Sequence, residues 1–335
     1  MKLRWGICGA GKISNDFCSA LKTLPDTEHE IVAIAARSVD RAKEFGDKFG
    51  ARKAYGSYDE LAADSEIDIA YVGVIHTRHI PLTKQMLSAG KHVLCEKPLC
   101  FSLKQAQEII QLAKDKNKLL MEATWSRAFP IYRKIREEID SGSLGDIQLV
   151  TASFCLPIIH VERLKNIDLG GGSLLDIGMY TVQFANWVFK NEKPVSIKAV
   201  ATLSENGVDE DGCIIMSYKN GAKASLTYTA KCLAINGAYV FGNKGSIQIK
   251  DNFWCPTEAT LPSGKATNDV PQGPSPYFFV NSGGLSYQAD LIRKSIMAGK
   301  IECPVMTFAD TEMMYYIMDE VRQQIGLKYE EASWT

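Results

Sequence analysis

The opening of this chain constrains its fold more than any other stretch. An apolar run from Leu3 to Cys8 passes directly into Gly9-Ala10-Gly11, and a helical pattern follows from Ile13 to Leu24. A strand, a glycine turn and a helix in that order aim the first free N–H groups of the helix beyond the end of the strand. The result is an anion site suited to a pyrophosphate. Gly9 permits the tight turn, and Gly11 has no side chain to hold a phosphate away from the backbone. Ser14 stands where a third glycine is usual and is still small enough for the helix to pack on the strand. A lone Gly-x-Gly is often an ordinary turn; here its flanks give it meaning. Gly9, Ala10, Gly11, Lys12 and Ile13 are therefore expected to contact a dinucleotide.

The next 90 residues or so repeat that alternation. Apolar strands are expected at Glu30–Ala36, Lys53–Tyr55, Ile67–Val74, His92–Cys95 and Leu119–Ala123, with helices at Val39–Phe49, Pro81–Ala89 and Leu103–Lys116. Nearly continuous apolar strands separated by helices mean a parallel sheet buried on both faces, a doubly wound α/β fold of about six strands. From Trp125 the grammar changes. Helices at Ile131–Ile139, Leu174–Phe189, Tyr287–Ala298 and Ala309–Gln324 accompany strands at Ile147–Phe154, Val195–Thr202, Cys213–Tyr218, Ala222–Tyr228 and Gly237–Gly242, with Asn-Gly turns among them. That is hairpin patterning. We expect residues 1–124 to form the nucleotide-binding domain and 125–335 an α+β domain on a large, open, mainly antiparallel sheet. The polar segment Pro262–Pro276 reads as a loop.

Composition excludes several functions. A net charge of -1 and a pI near 6.5 argue against nucleic-acid binding. No apolar run approaches the ~20 residues of a membrane helix, and a strand starting at Leu3 leaves no room for a signal peptide. Nine scattered cysteines, never spaced Cys-x-x-Cys, read as reduced thiols. The expected location is cytosolic.

Four constellations can carry chemistry. At the end of the second strand, where an acid would meet a ribose 2′-hydroxyl, stand Arg37, Ser38 and Arg41, which suit a 2′-phosphate and hence NADP; solvent-facing charges at a helix start are the plain alternative. After the fourth strand, which carries Tyr71, come Ile75, His76 and His79; the two histidines suit cofactor contact, a helix cap or packing, and no third metal ligand is evident. The fifth strand ends in Glu96-Lys97-Pro98, where a nicotinamide arrives in this fold. Finally, Gly170-Gly171-Gly172-Ser173 precedes a helix on which Asp176 and Tyr180 share a face at i, i+4, with Ser173 as its expected N-cap. Trp125, Arg127 and Phe129 either wall an apolar pocket or pack a hinge.

Taken together, the opening Gly-x-Gly, Glu96-Lys97-Pro98 and Gly171 through Asp176 to Tyr180 resemble the glucose-fructose oxidoreductase / inositol dehydrogenase family, end to end. Most of that family has histidine at the place of Tyr180. The tyrosine, with Arg37-Ser38-x-x-Arg41, His76-x-x-His79 and Trp125, is similar to its dimeric, dihydrodiol-oxidising branch. The resemblance implies NADP-linked oxidation of trans-dihydrodiols of benzene and naphthalene to catechols, and of D-xylose at its anomeric carbon, by a homodimer joined through the second-domain sheets. In this reading Tyr180 is the base, Lys97 the cation that favours its phenolate, and Asp176 an orienting partner. Trp125, Phe154, Asp176, Met179 and Tyr180 surround the diol or sugar, and Tyr71, Ile75, His76, His79, Glu96 and Lys97 join the cofactor wall. No metal, nucleic acid or membrane is expected. Alternatives are another sugar, inositol or biliverdin-type oxidoreductase, or a non-catalytic NADPH-binding regulator.

Overall fold

A computed structural model describes residues 1–330. Six strands, β1 (Leu3–Cys8), β2 (His29–Ala35), β3 (Lys53–Tyr55), β4 (Ile69–Val72), β5 (His92–Cys95) and β6 (Leu120–Glu122), form a parallel sheet in the order β3-β2-β1-β4-β5-β6. Every residue of β4 is buried, as a sheet covered on both faces requires. The helices between the strands are α1 (Lys12–Leu21), α2 (Val39–Phe49), α3 (Tyr58–Ala63), α4 (His79–Ser88) and α5 (Leu103–Asp115). The strand order reverses between β1 and β4, so the crevice at their carboxyl ends is where a ligand belongs in this fold. Helix α3, between β3 and β4, is not among the helices expected from the sequence. It is only six residues long, and a reciprocal capping box between Ser57 and Glu60 starts it.

After α6 (Pro130–Asp140), β7 (Ile147–Cys155), α7 (Glu162–Lys165) and α8 (Met179–Val188), the chain makes β8 (Ser196–Leu203), β9 (Asp209–Ser217), β10 (Lys223–Thr229), β11 (Ala238–Gly242), β12 (Ser246–Ile249), β13 (Glu258–Leu261) and β14 (Gly264–Thr267). With β7 they build an eight-stranded sheet, β14-β13-β12-β11-β7-β10-β9-β8. Only the β7–β10 pair is parallel, because β7 enters from the first half and lies at the centre. The segment read as a loop, Pro262–Pro276, instead contributes β14, the edge strand of a tight hairpin with β13.

One face of this sheet is packed and the other open. Along β8 and β9, Ile197, Ile214 and Met216 are buried while Val200, Cys213 and Ile215 are exposed, the alternation a half-covered sheet dictates. Helices α9 (Leu285–Met297) and α10 (Phe308–Ile325) close the described chain, α9 packing on α1 and α10 on both α5 and β8. The two halves are thus interlocked by the C-terminal helices.

The helix expected from Leu174 begins differently. Residues Leu174–Gly178 form one wide π turn before α8. Ser173 does not cap it; its hydroxyl donates to the Glu210 carbonyl, and the Leu174 N–H is taken by the distant Asp209 carboxylate at 2.7 Å. π turns inside helices recur at functional sites.

Candidate active site

A cleft of about 970 Å³ opens between the carboxyl ends of β1, β4 and β5 and the start of α8. Its nucleotide end is built by the first glycines. Gly9 has φ +101°, and a side chain there would stand 2.6 Å from the Gly73 carbonyl oxygen. Gly11 is the extended N-cap of α1 with no side-chain cap, and its missing Cβ would face open space, with the Gly73 oxygen 4.0 Å away. The first N–H groups of α1 therefore remain for an anion, with Ala10, Lys12 and Ile13 along the wall.

Arg37 and Arg41 line the same end, and Arg41 donates to the Ala10 carbonyl at 3.1 Å. The residues present fit a dinucleotide: an uncapped helix start, a glycine with room in front of it, and two guanidinium groups at the end of β2. Ser38 is not on this wall. It caps α2 by accepting the Arg41 N–H.

Tyr71 also stands behind the cleft rather than on it. It is fully buried, stacked 3.9 Å from Phe17, and its hydroxyl donates to Glu96 at 2.7 Å. Ile75, His76 and His79 do reach the cleft. His76 Nδ1 is 3.0 Å from the Gly170 carbonyl, and His79 directs Nδ1 to the Pro98 carbonyl (2.6 Å) and Nε2 to the Val74 carbonyl (3.1 Å). Burial pulls their pKa values down to about 3 and about 4. Both His79 nitrogens face carbonyl oxygens, and these rings clip the cleft wall to the turns on either side.

At the reaction end, β5 delivers Glu96 and Lys97, and the π turn delivers Asp176 to meet them. Lys97 Nζ is 2.8 Å from the Asp176 carbonyl oxygen and 3.4 Å from Oδ1. Arg163 from α7 grips the same carboxylate in a fork, at 2.7 and 3.1 Å. Although burial opposes it, Lys97 and Arg163 together hold Asp176 well below the usual carboxylate range. Burial pushes Glu96 up to about 6, offset in part by the Tyr71 hydroxyl and Lys97.

Tyr180 completes this end, with its hydroxyl accepting the Trp125 Nε1–H at 2.9 Å. The expected pairing of Lys97 with the phenol oxygen takes another form. The ammonium lies over the ring face, 5.1 Å from its centroid. Burial first, and then the negative charges of Glu96 and Asp176, push the Tyr180 phenol well above its ordinary value, with only the Trp125 bond acting against them.

The apolar wall is aromatic: Phe154 stacks on Trp254 at 3.7 Å and 10°, and lies 5.5 Å from Tyr180. Met179 is fully buried behind it and does not line the cleft. Of the hinge residues only Trp125 lines the cleft; Arg127 is paired with Asp310 at 2.5 Å, and Phe129 is fully buried in packing. Sequence reasoning missed Arg163, Trp254 and the Phe278–Val280 segment, all of which line the cleft. Arg163 lies in the one-turn helix α7 and Trp254 in a turn, both too short to show periodicity. Two adjacent phenylalanines beyond a polar loop were a readable signal of an apolar contact.

A parallel sheet of this strand order, with an open glycine turn at its crossover and an acid, an ammonium and a phenol at the far end, is that of an NAD(P)-dependent dehydrogenase. Residues 3–124 match the oxidoreductase family with an NAD-binding Rossmann fold, and residues 132–248 the GFO/IDH/MocA C-terminal domain. The chain belongs to the GFO/IDH/MocA oxidoreductase family, as the motifs around Gly9, Glu96 and Gly171 implied. It is similar to trans-1,2-dihydrobenzene-1,2-diol dehydrogenase of Xenopus tropicalis, 45% identical over 98% of this chain and 100% of that protein. The Homo sapiens enzyme of the same name is 39% identical, with 98% of each chain covered. Among solved structures, KijD10, a 3-ketoreductase from Actinomadura kijaniata in complex with NADP and TDP-benzene, superposes with a TM-score of 0.80 at 25% identity, over 97% of this chain and 98% of that one.

Proposed function

We propose that this dehydrogenase is NADP-linked and oxidises trans-dihydrodiols of benzene and naphthalene to catechols, and D-xylose at its anomeric carbon, with Tyr180 exchanging the hydroxyl proton. The carrying observation is that the stacked Phe154–Trp254 pair stands directly beside Tyr180 and Trp125, so that a flat apolar ring can lie on the aromatic wall while its hydroxyls meet the polar cluster. The dihydrodiol dehydrogenase activity that names the relatives at 39–45% identity supports the dihydrodiol substrate.

Nicotinamide, when bound, supplies the hydride acceptor. The chain's part is the proton and the orientation. Tyr180, whose raised pKa means that its phenol must first pass its own proton to solvent, takes as the phenolate the proton of the hydroxyl on the carbon that loses its hydride, and for a dihydrodiol the resulting hydroxy-ketone tautomerises to the aromatic catechol. The Trp125 N–H, donating to that oxygen, favours the phenolate that accepts the proton. Lys97, anchored by the carbonyl oxygen and Oδ1 of Asp176, supplies positive charge over the Tyr180 ring.

The open face of the eight-stranded sheet, with Val200 and Ile215 exposed on it and Leu233 and Ile235 exposed in the segment before β11, supports a homodimer joined through that face. Nine free cysteines fit a cytosolic protein, and no helix among the described residues is long and apolar enough to cross a membrane.

The direct test adds trans-dihydrodiol or D-xylose with NADP and follows absorbance of the reduced nicotinamide. Turnover with inositol or hexoses, and none with these two substrates, would replace the assignment.

A further inference from the structure

Asp16 is a carboxylate with nothing to do in its own helix. It lies at the fifth position of α1, fully buried, and α1 takes its N-cap from Gly11. Among the described residues it forms no ion pair. Its acceptors are filled instead from more than 260 residues away: the Phe278 N–H reaches both oxygens, at 2.9 and 3.0 Å, and the Phe279 N–H reaches Oδ2 at 2.9 Å. A buried carboxylate is costly to keep unless such donors surround it, so the two segments are held together by a demand on both sides.

Neighbouring side chains on the same side of α1 continue the seam. Asn15 donates to the Asp16 carboxylate at 3.1 Å and to the Pro276 carbonyl at 3.3 Å. Ser19 donates to the Ser275 carbonyl at 2.8 Å and accepts the Ser275 N–H at 3.1 Å. What the seam holds is the rim of the cleft. Phe278, Phe279 and Val280 line it beside Lys12, whose ammonium is 5.6 Å from the Phe278 ring centroid. These three apolar side chains are nonetheless 58, 46 and 47% exposed, an unusual state for adjacent large residues unless something in the cleft covers them.

We propose that Asp16 is a positioning residue for cofactor retention: by holding the Phe278–Phe279 backbone against the helix that receives the pyrophosphate, it keeps an apolar strap over the bound dinucleotide and thereby sets the rate of its release. This rests on cofactor binding at α1, the reading given above. The strap acts on the part common to NAD and NADP, whereas Arg37 and Arg41 stand where the two differ. The two contributions are therefore separable by experiment.

The test measures NADPH and NADH dissociation by stopped-flow fluorescence for the parent protein, Asp16→Ala and Asp16→Asn. Loss of two charge-assisted hydrogen bonds in Asp16→Ala should raise both dissociation rates about tenfold or more, by the same factor for each cofactor, with association little changed. Asp16→Asn, which keeps one acceptor oxygen, should lie between. A role confined to stability would lower the melting temperature and leave dissociation within twofold of the parent, and that result overturns the proposal; so does a loss selective for NADPH. Should Asp16→Ala fail to fold, Phe278→Ala with Phe279→Ala, both exposed, must speed dissociation likewise, and unchanged rates there overturn it too. A parent protein that binds neither cofactor would instead defeat the reading on which the proposal stands.

Discussion

Lys97 and Asp176 meet twice, through Nζ at 2.8 Å from the Asp176 carbonyl oxygen and at 3.4 Å from its Oδ1. The main-chain contact fixes where the π turn sits relative to the end of β5. The side-chain contact and the Arg163 fork keep the carboxylate ionised, so an ammonium is retained beside the Tyr180 ring. One ion cluster therefore joins the two halves of the cleft and sets the reaction geometry.

Tyr180→Phe keeps the ring packing against Phe154 and removes only the oxygen bonded to Trp125. Cofactor affinity should change little and kcat should fall by about 10²–10⁴, the usual contribution of a positioned acid–base group. Lys97→Met should also slow turnover severely, and the double variant should lose less than the sum because both changes disable one unit. If Lys97 is the proton acceptor instead, Tyr180→Phe will chiefly raise KM, and steady-state kinetics separate the two.

Arg37→Ala should weaken NADP about 30- to 150-fold and NAD far less, since a charge-assisted bond to a phosphate contributes roughly 2–3 kcal/mol. Equal losses measured by titration with the two cofactors would show that Arg37, which lines the cleft beside Arg41, does not read the 2′-phosphate.

Arg163→Ala removes the fork from a buried carboxylate while leaving Lys97 in place. Its guanidinium side is partly exposed, so water will compensate in part, and the loss of stability should be about 1–2 kcal/mol. The sharper effect is expected in kcat, because Asp176 is then free to draw Lys97 off the Tyr180 ring. An Arg163→Ala enzyme with parental kcat would assign Arg163 to stability alone.

Glu122 is fully buried and accepts the Leu99 N–H and the Tyr315 hydroxyl at 2.9 Å each, and burial raises its pKa from 4.5 to about 7. A carboxyl raised in the folded state binds its proton more tightly there than in the unfolded chain. Its contribution is therefore fully present below about pH 4.5 and is lost as pH rises through about 7. Glu122→Gln removes that titration, so the stability gap between parent and variant should move in favour of the variant by roughly 2–4 kcal/mol between pH 4.5 and pH 8. Denaturant melts of both proteins across that range would show a constant gap if the carboxyl is already ionised in the fold.

The open sheet face should make the protein sediment as a dimer at micromolar concentration. Ile215→Lys, at a position exposed on β9 next to the β8 edge of that face, should shift it towards monomer, and a fully active parental monomer would contradict the interface.

Sequence alone determined what depends on local periodicity. The alternation of apolar runs and helices after Leu3 specified a parallel sheet, because strands buried on both faces must be apolar throughout, and Gly9 and Gly11 pointed to the anion site, because the turn at Gly9 needs a positive φ and Gly11 carries no side chain into the space before α1. Glu96, Lys97, Asp176 and Tyr180 stood out for the same reason, each lying at the end of a strand or on one side of a helix. What periodicity does not encode, tertiary structure decided. Ser38 and Tyr71 have the right positions in sequence, but one is spent capping α2 and the other buried under Glu96. Arg163, Trp254 and Phe279 come from a one-turn helix and from irregular segments, and they reach the cleft through tertiary contacts such as the Arg163–Asp176 fork and the Phe279 N–H on Asp16. The direction in which the Tyr180 phenol is shifted was likewise not readable along the chain. It depends on burial, on Glu96 and Asp176, and on the Trp125 N–H that opposes them, all of which are distances in space.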